Sequence, residues 1–163
     1  MSAADVTTVA ALVVTGLMAG LWFAWMVSVI PGTRRVDDHT YVTTMQTINR
    51  AIINPAFILP FIATPIVLAA AGILQWRAGN TRSAALLFTA AGGYVVGVLG
   101  VTGGGNVPLN NALDEVPLAD TAATELRSIR TGYERPWNRF HAARTIANLG
   151  VFAVALVAAV DAG

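Results

Sequence analysis

Trp137, His141, Arg144 and Asn148 recur at helical spacing within "PWNRFHAARTIAN", residues 136–148. At 100° per residue they fall within about 60° of one another, on one face of a helix. These are residue types with chemistry to offer. A free imidazole titrates near pH ~6.5, so His141 is the natural base of the group. A guanidinium and side-chain amides can hold an oxyanion. An indole can stack on a flat ring.

The helix that positions them runs directly into "LGVFAVALVAAV". This purely apolar part, 149–160, rises about 18 Å, too little to cross about 30 Å of hydrocarbon. Counted back from Val160, a full span reaches about His141. Arg144 and Asn148 therefore fall inside the slab. A charge there costs roughly 2.5 kcal/mol or more, so it must face a protein partner or a wet cavity. Interfacial anchoring is the competing reading, because Trp and Arg are common at headgroup level. It accounts for Trp137 and Arg139, but poorly for Asn148 or for the shared face. Phe152 and Ala155 continue that face, so the pocket is expected to be polar at its mouth and apolar at its floor.

Four stretches have the length and character of membrane spans, at about 6–30, 51–75, 83–103 and 136–160. The chain of 163 residues is 55% hydrophobic and only 12% charged, about half the charged share of a soluble domain. The expected fold is an all-α, integral membrane four-helix bundle, 1–163 forming one domain, with a polar pocket at one end capped by two loops. A very apolar soluble bundle is the alternative, and it would leave little polar surface for water. The leading "MSAAD" has no basic residue, and the run behind it is longer than a signal sequence needs. The first stretch is thus expected to stay as a helix.

Connectivity puts the end of the first helix, the start of the second, the end of the third and the start of the fourth on one side. Trp22, Trp25, Gln46, Asn49, Asn106 and Asn110 join the stripe of the fourth helix there. Nothing polar continues to the far side, which argues against a channel or transport path. Asp37 or Asp38 could cap a short helix in the first loop. Pro55, Pro60 and Pro65 interrupt the second span, and "GVTGGGNVPLNNAL" cannot continue a regular helix. "DTAATELRSIR", 120–130, reads as a short amphipathic helix, with Pro136 in the first turn of the next. Gly16 and Gly20, and Gly93 and Gly97, have the spacing of close helix contacts. "INR" at 48–50 and "WNR" at 137–139 give a faint echo of a duplicated hairpin.

The sequence has no cysteine and no lysine. That excludes disulfides, iron–sulfur clusters, covalent c-type haem and Schiff-base chemistry. There is no basic run with interleaved aromatics, so no nucleic-acid partner is expected. The "GGG" at 103–105 lacks the Lys and Ser/Thr of a phosphate loop. His39 and His141 with Asp37 or Asp38 could hold iron or copper, but their spacing gives no helical ligand pair. Eight of the ten arginines lie on the mouth side, which a positive-inside count would place in the cytoplasm; seven acids accompany them.

Four segments together carry a resemblance: "FAWMVSVIPG", "MQTINRAIINPAF", "VTGGGNVPLNNAL" and "RPWNRFHAARTIAN". The chain resembles the anthrone oxygenase-like family of small four-helix membrane proteins over nearly its whole length. The resemblance implies oxidation of a flat, lipophilic anthrone- or quinone-like substrate by molecular oxygen, with no cofactor. In such a reaction His141 would be the base. Arg144, Asn106, Asn110 and Asn49 would hold the enolate oxygen. Trp137, Trp25 and Phe140 would stack on the rings, with Gln46 and Asn148 as further substrate contacts. The plainer alternative for His141 is an imidazole bonded to a neighbouring carbonyl. For the two asparagines it is capping and loop bonding. A non-catalytic membrane subunit or lipophile-binding protein would use the same pocket. The expected partners are the substrate, oxygen and membrane lipid, with a homo-oligomer left open, in a bacterial cytoplasmic membrane.

Overall fold

The computed structural model describes residues 1–162. It contains five helices: α1 Ala3–Thr33, α2 Asp38–Ala51, α3 Pro55–Arg77, α4 Thr81–Asp114 and α5 Ala123–Asp161. All but α2 are long and apolar enough to cross a membrane. Residues facing away from the bundle are apolar, among them Val13, Ile66, Val96 and Ile146. Residues facing inward include Thr8, Thr15, Thr64, Gln75, Asn106, His141, Arg144 and Asn148. An apolar outside around a partly polar inside suits a bundle surrounded by hydrocarbon.

Local sequence explains most of the helix ends. Ser2 and Asp5 form a reciprocal capping box at α1. Asp37 accepts from the Thr40 amide at 2.9 Å and caps α2. The Thr40 hydroxyl and amide hold the Asp37 carboxyl below its ordinary value. Asn54 caps α3, which opens on Pro55 at a position where no amide is needed. The second span therefore begins at Pro55, and the 52–54 stretch is a break between α2 and α3.

Two helices run on where the sequence suggested a stop. α4 passes through Gly103–Gly105 by widening into π turns at Val95–Gly100 and Thr102–Asn106, then continues as α-helix to Asp114. α5 is continuous from Ala123 to Asp161 with Pro136 inside it, so the expected separate helix at 120–130 is its first part. The residue four before Pro136 is Gly132, exposed and small, which leaves the displaced carbonyl room to turn towards water.

The glycine spacing is used by α4 more than by α1. A methyl on Gly97 would lie 2.7 Å from Ala147 Cβ, and one on Gly93 3.3 Å from Val151. Gly16 meets the ring of Phe152, whereas Gly20 meets nothing within 4 Å. So Phe152 packs between α1 and α5 and does not floor the pocket.

A second apolar cluster caps the bundle. Tyr41, Val42 and Met45 of α2 pack with Leu113, Leu126 and Trp137. Arg130 locks this cap through Val36 O at 2.8 Å, Asp38 at 3.1 Å and Glu134 at 2.9 Å, and lies over the Tyr41 ring. Burial pushes the Tyr41 phenol well above its ordinary value, so it stays neutral. Gln46 belongs to this cap. Its amide donates to the carbonyls of Leu113 and Val116, and it does not line the pocket.

Candidate functional site

Arg144 sits on the inner face of α5 with 5% of its surface exposed. Its Nε and Nη2 approach His141 Nδ1 at 3.3 and 3.0 Å, and Nη1 donates to Thr102 Oγ1 at 3.2 Å. The guanidinium lies over the Trp22 ring, 4.0 Å from its centroid. Among the described residues no carboxylate comes within ion-pair distance of it. A buried cation held by neutral groups and π faces keeps its charge available to an anion.

His141 is fully enclosed. Arginine only donates, so Nδ1 must accept; the ring proton then sits on Nε2, which donates to the Trp22 carbonyl at 3.1 Å. The ring also stacks on Trp137 at 5.2 Å and 6°. No lone pair is left to abstract a proton, and His141 does not line the pocket. The geometry is that of the carbonyl-bonded imidazole, with its other nitrogen turned to the Arg144 guanidinium.

Two π turns flank this cluster. Thr102 begins the widened turn of α4, and Trp22 precedes the one at Trp25–Val29 in α1. Such turns re-aim side chains and carbonyls without ending a helix, and they gather at functional sites. Gly105 lets α4 pass the Phe140 ring, where a methyl would meet Cγ at 2.5 Å. Phe140 therefore faces α4 and the exterior, not the pocket.

Three of the amides bond to neighbouring groups of the protein. Asn110 Oδ1 accepts from Trp137 Nε1 at 2.7 Å and from the Tyr133 hydroxyl at 2.9 Å. Asn49 Nδ2 donates to Tyr133 at 3.2 Å, completing a chain that fixes the Trp137 indole. Asn106 donates to the Trp137 carbonyl at 3.2 Å. Its Oδ1, both polar atoms of Asn148 and Trp22 Nε1 are buried with no protein partner. Neither Asn106 nor Asn148 reaches the pocket wall.

The pocket itself has a volume of about 290 Å³. Arg144, Thr102, Asn49 and Asn110 give it polar points, while Trp22, Trp25, Trp137, Phe57 and Phe61 give it aromatic walls. It lies where α3 and α4 part. The two helices pack along Thr81–Tyr94, Phe61 touches Tyr94, and beyond that level they diverge. Exposed Ile53, Ile58 and Val107 edge the opening, with the Arg50–Asp114 ion pair, 2.6 Å, at its outer rim. Thr102, Phe57 and Phe61 were not among the expected site residues. The i, i+4 pair of phenylalanines behind Asn54 was the available signal for the last two.

Among the described residues no three of His, Asp and Glu come together. The grouping of His39, His141 and Asp37 or Asp38 weighed for iron or copper is not assembled. His39 is exposed on α2, Asp37 caps that helix, and Asp38 binds Arg130.

Fold and site together define a small helical bundle of membrane-spanning character, with a cation set in an aromatic pocket open between two helices. The chain belongs to the anthrone oxygenase family, whose model matches residues 50–154. The match takes in Thr102, Asn110, Trp137, His141 and Arg144, while Trp22, Trp25 and Asn49 precede it. No curated protein and no solved structure matches the chain.

Proposed function

We propose that this protein is a membrane oxygenase that binds a flat, lipophilic aromatic compound of anthrone type as its enolate and presents it to molecular oxygen. The observation that carries the reading is Arg144, a buried cation with no acid beside it among the described residues, on the wall of an aromatic pocket. The developing oxyanion would take the place that no carboxylate fills. Stacking on Trp25, Trp137 and Phe57 would select a planar ring system.

The reaction balances without further reagents. Loss of a C–H proton from the substrate's CH₂ gives the enolate. Its carbon transfers an electron to O₂, and the two radicals join as a hydroperoxide anion, which takes up a proton. Loss of the second C–H proton with O–O cleavage leaves the ketone and water, so R₂CH₂ + O₂ gives R₂C=O + H₂O. Asp114 is the one carboxylate on the pocket wall and accepts the first proton in this reading. His141 acts by aiming the guanidinium.

A second reading, a lipophile-binding protein without turnover, is favoured by the closed hydrogen bonding of His141. Oxygen uptake by detergent-purified protein offered an anthrone separates the two. The oxygenase reading expects uptake well above the spontaneous rate, reduced in both Arg144→Met and Asp114→Asn. Binding of the anthrone with uptake no faster than in buffer would leave only the binding protein.

A further inference from the structure

A second cavity, of about 520 Å³, lies where the end of α1 meets the middle of α5. Arg34, Arg135 and Arg139 line it, with Asn138 and Thr131 as further donors. Its one acid, Glu134, is already engaged by Arg130 at 2.9 Å and by Arg34 at 3.6 Å. Among the described residues neither Arg135 nor Arg139 has a carboxylate in ion-pair range.

The same helix faces turn apolar directly below. At 100° per residue, Thr131, Arg135 and Arg139 share a face of α5 with Ala142, Ile146 and Leu149. Ala142 closes the cavity, and Ile146 and Leu149 are exposed. Arg34, just past the end of α1, adds a third guanidinium to the cavity wall. α5 thus presents cationic donors above an exposed apolar track. The change falls about where α5 enters its apolar stretch, the level at which headgroups would lie around a membrane span.

We propose that this groove binds an anionic phospholipid, its phosphate among Arg34, Arg135 and Arg139 and an acyl chain along Ile146 and Leu149. Arginines present paired donors to phosphate oxygens, and basic pockets between membrane helices suit anionic headgroups. A free phosphate would leave the apolar track unused. A choline headgroup would set its own cation against three arginines.

Thermal unfolding of the full chain in non-ionic detergent tests this. Phosphatidylglycerol is expected to raise the midpoint in a concentration-dependent way, more than phosphatidylcholine does. Arg135→Gln/Arg139→Gln should lose most of that rise, while Arg77→Gln/Arg127→Gln, with the same charge removed elsewhere, should keep it. Lipid retained by wild-type protein from mixed phosphatidylglycerol and phosphatidylcholine micelles should be enriched in the anionic species. An unchanged rise in Arg135→Gln/Arg139→Gln, equal effects of the two lipids, absence of enrichment, or the same rise with inorganic phosphate alone would each overturn the proposal.

Discussion

At the scale of single residues, Arg144 and His141 form one device. The imidazole is pinned by the Trp22 carbonyl, and its other nitrogen takes two guanidinium donors. Arg144→Lys keeps the charge but cannot meet His141, Thr102 and a ligand in one planar fork. Loss of one charge-assisted hydrogen bond of about 1.5–3 kcal/mol should weaken binding of an aromatic anion by roughly tenfold or more, read by titration. Wild-type affinity in Arg144→Lys would show that the guanidinium geometry is not used. His141→Gln retains an acceptor and should bind the anion better than His141→Ala does. A base would give another pattern, with both variants binding normally and both losing turnover. The inward-facing stripe 137-141-144-148, with Arg144 buried in it, was legible from periodicity and span length. The tautomer of His141 was not, because it depends on a carbonyl from α1, over a hundred residues away.

At the scale of elements, the π turns and glycines shape the site. α4 approaches α5 at Gly97 with no room for a methyl, whereas Gly20 has open space around it. Gly97→Ala should lower stability by about 1–3 kcal/mol through overpacking, and Gly20→Ala should be near neutral. Thermal unfolding of the two variants checks the contrast, and equal midpoints would contradict the packing described. The four spans were legible as long apolar runs. The continuity of α4 and α5 was not, because Gly-rich and Pro-containing stretches read locally as stops. In α4 the chain widens its turns, and in α5 the exposed Gly132 relieves Pro136.

At the scale of the molecule, the parting of α3 and α4 makes the pocket open sideways, between exposed Ile53 and Val107. A lipophilic ligand would then reach it from the surrounding hydrocarbon. Ile53→Trp should slow association of a membrane-dissolved aromatic ligand in stopped-flow fluorescence and leave thermal stability little changed. Unaltered association would argue for another route. Connectivity alone brought Trp22, Asn106, Trp137 and Arg144 to one end, but polar groups are also buried at the other, where Gln75 donates to Thr8 at 3.0 Å and Ser83 to the Ala158 carbonyl at 2.8 Å. The gap itself did not follow from connectivity, since it depends on how far two neighbouring helices stay in contact. The central claim is that Arg144 stabilises the anion of a flat aromatic ligand. Its most direct test is the absorbance titration of a bound hydroxyanthraquinone, whose colour reports its ionisation, in wild-type protein and in Arg144→Met. The cation should favour the anion, so the bound dye should ionise at lower pH in wild type than in Arg144→Met. Ionisation at the same or higher pH in wild type would contradict the account.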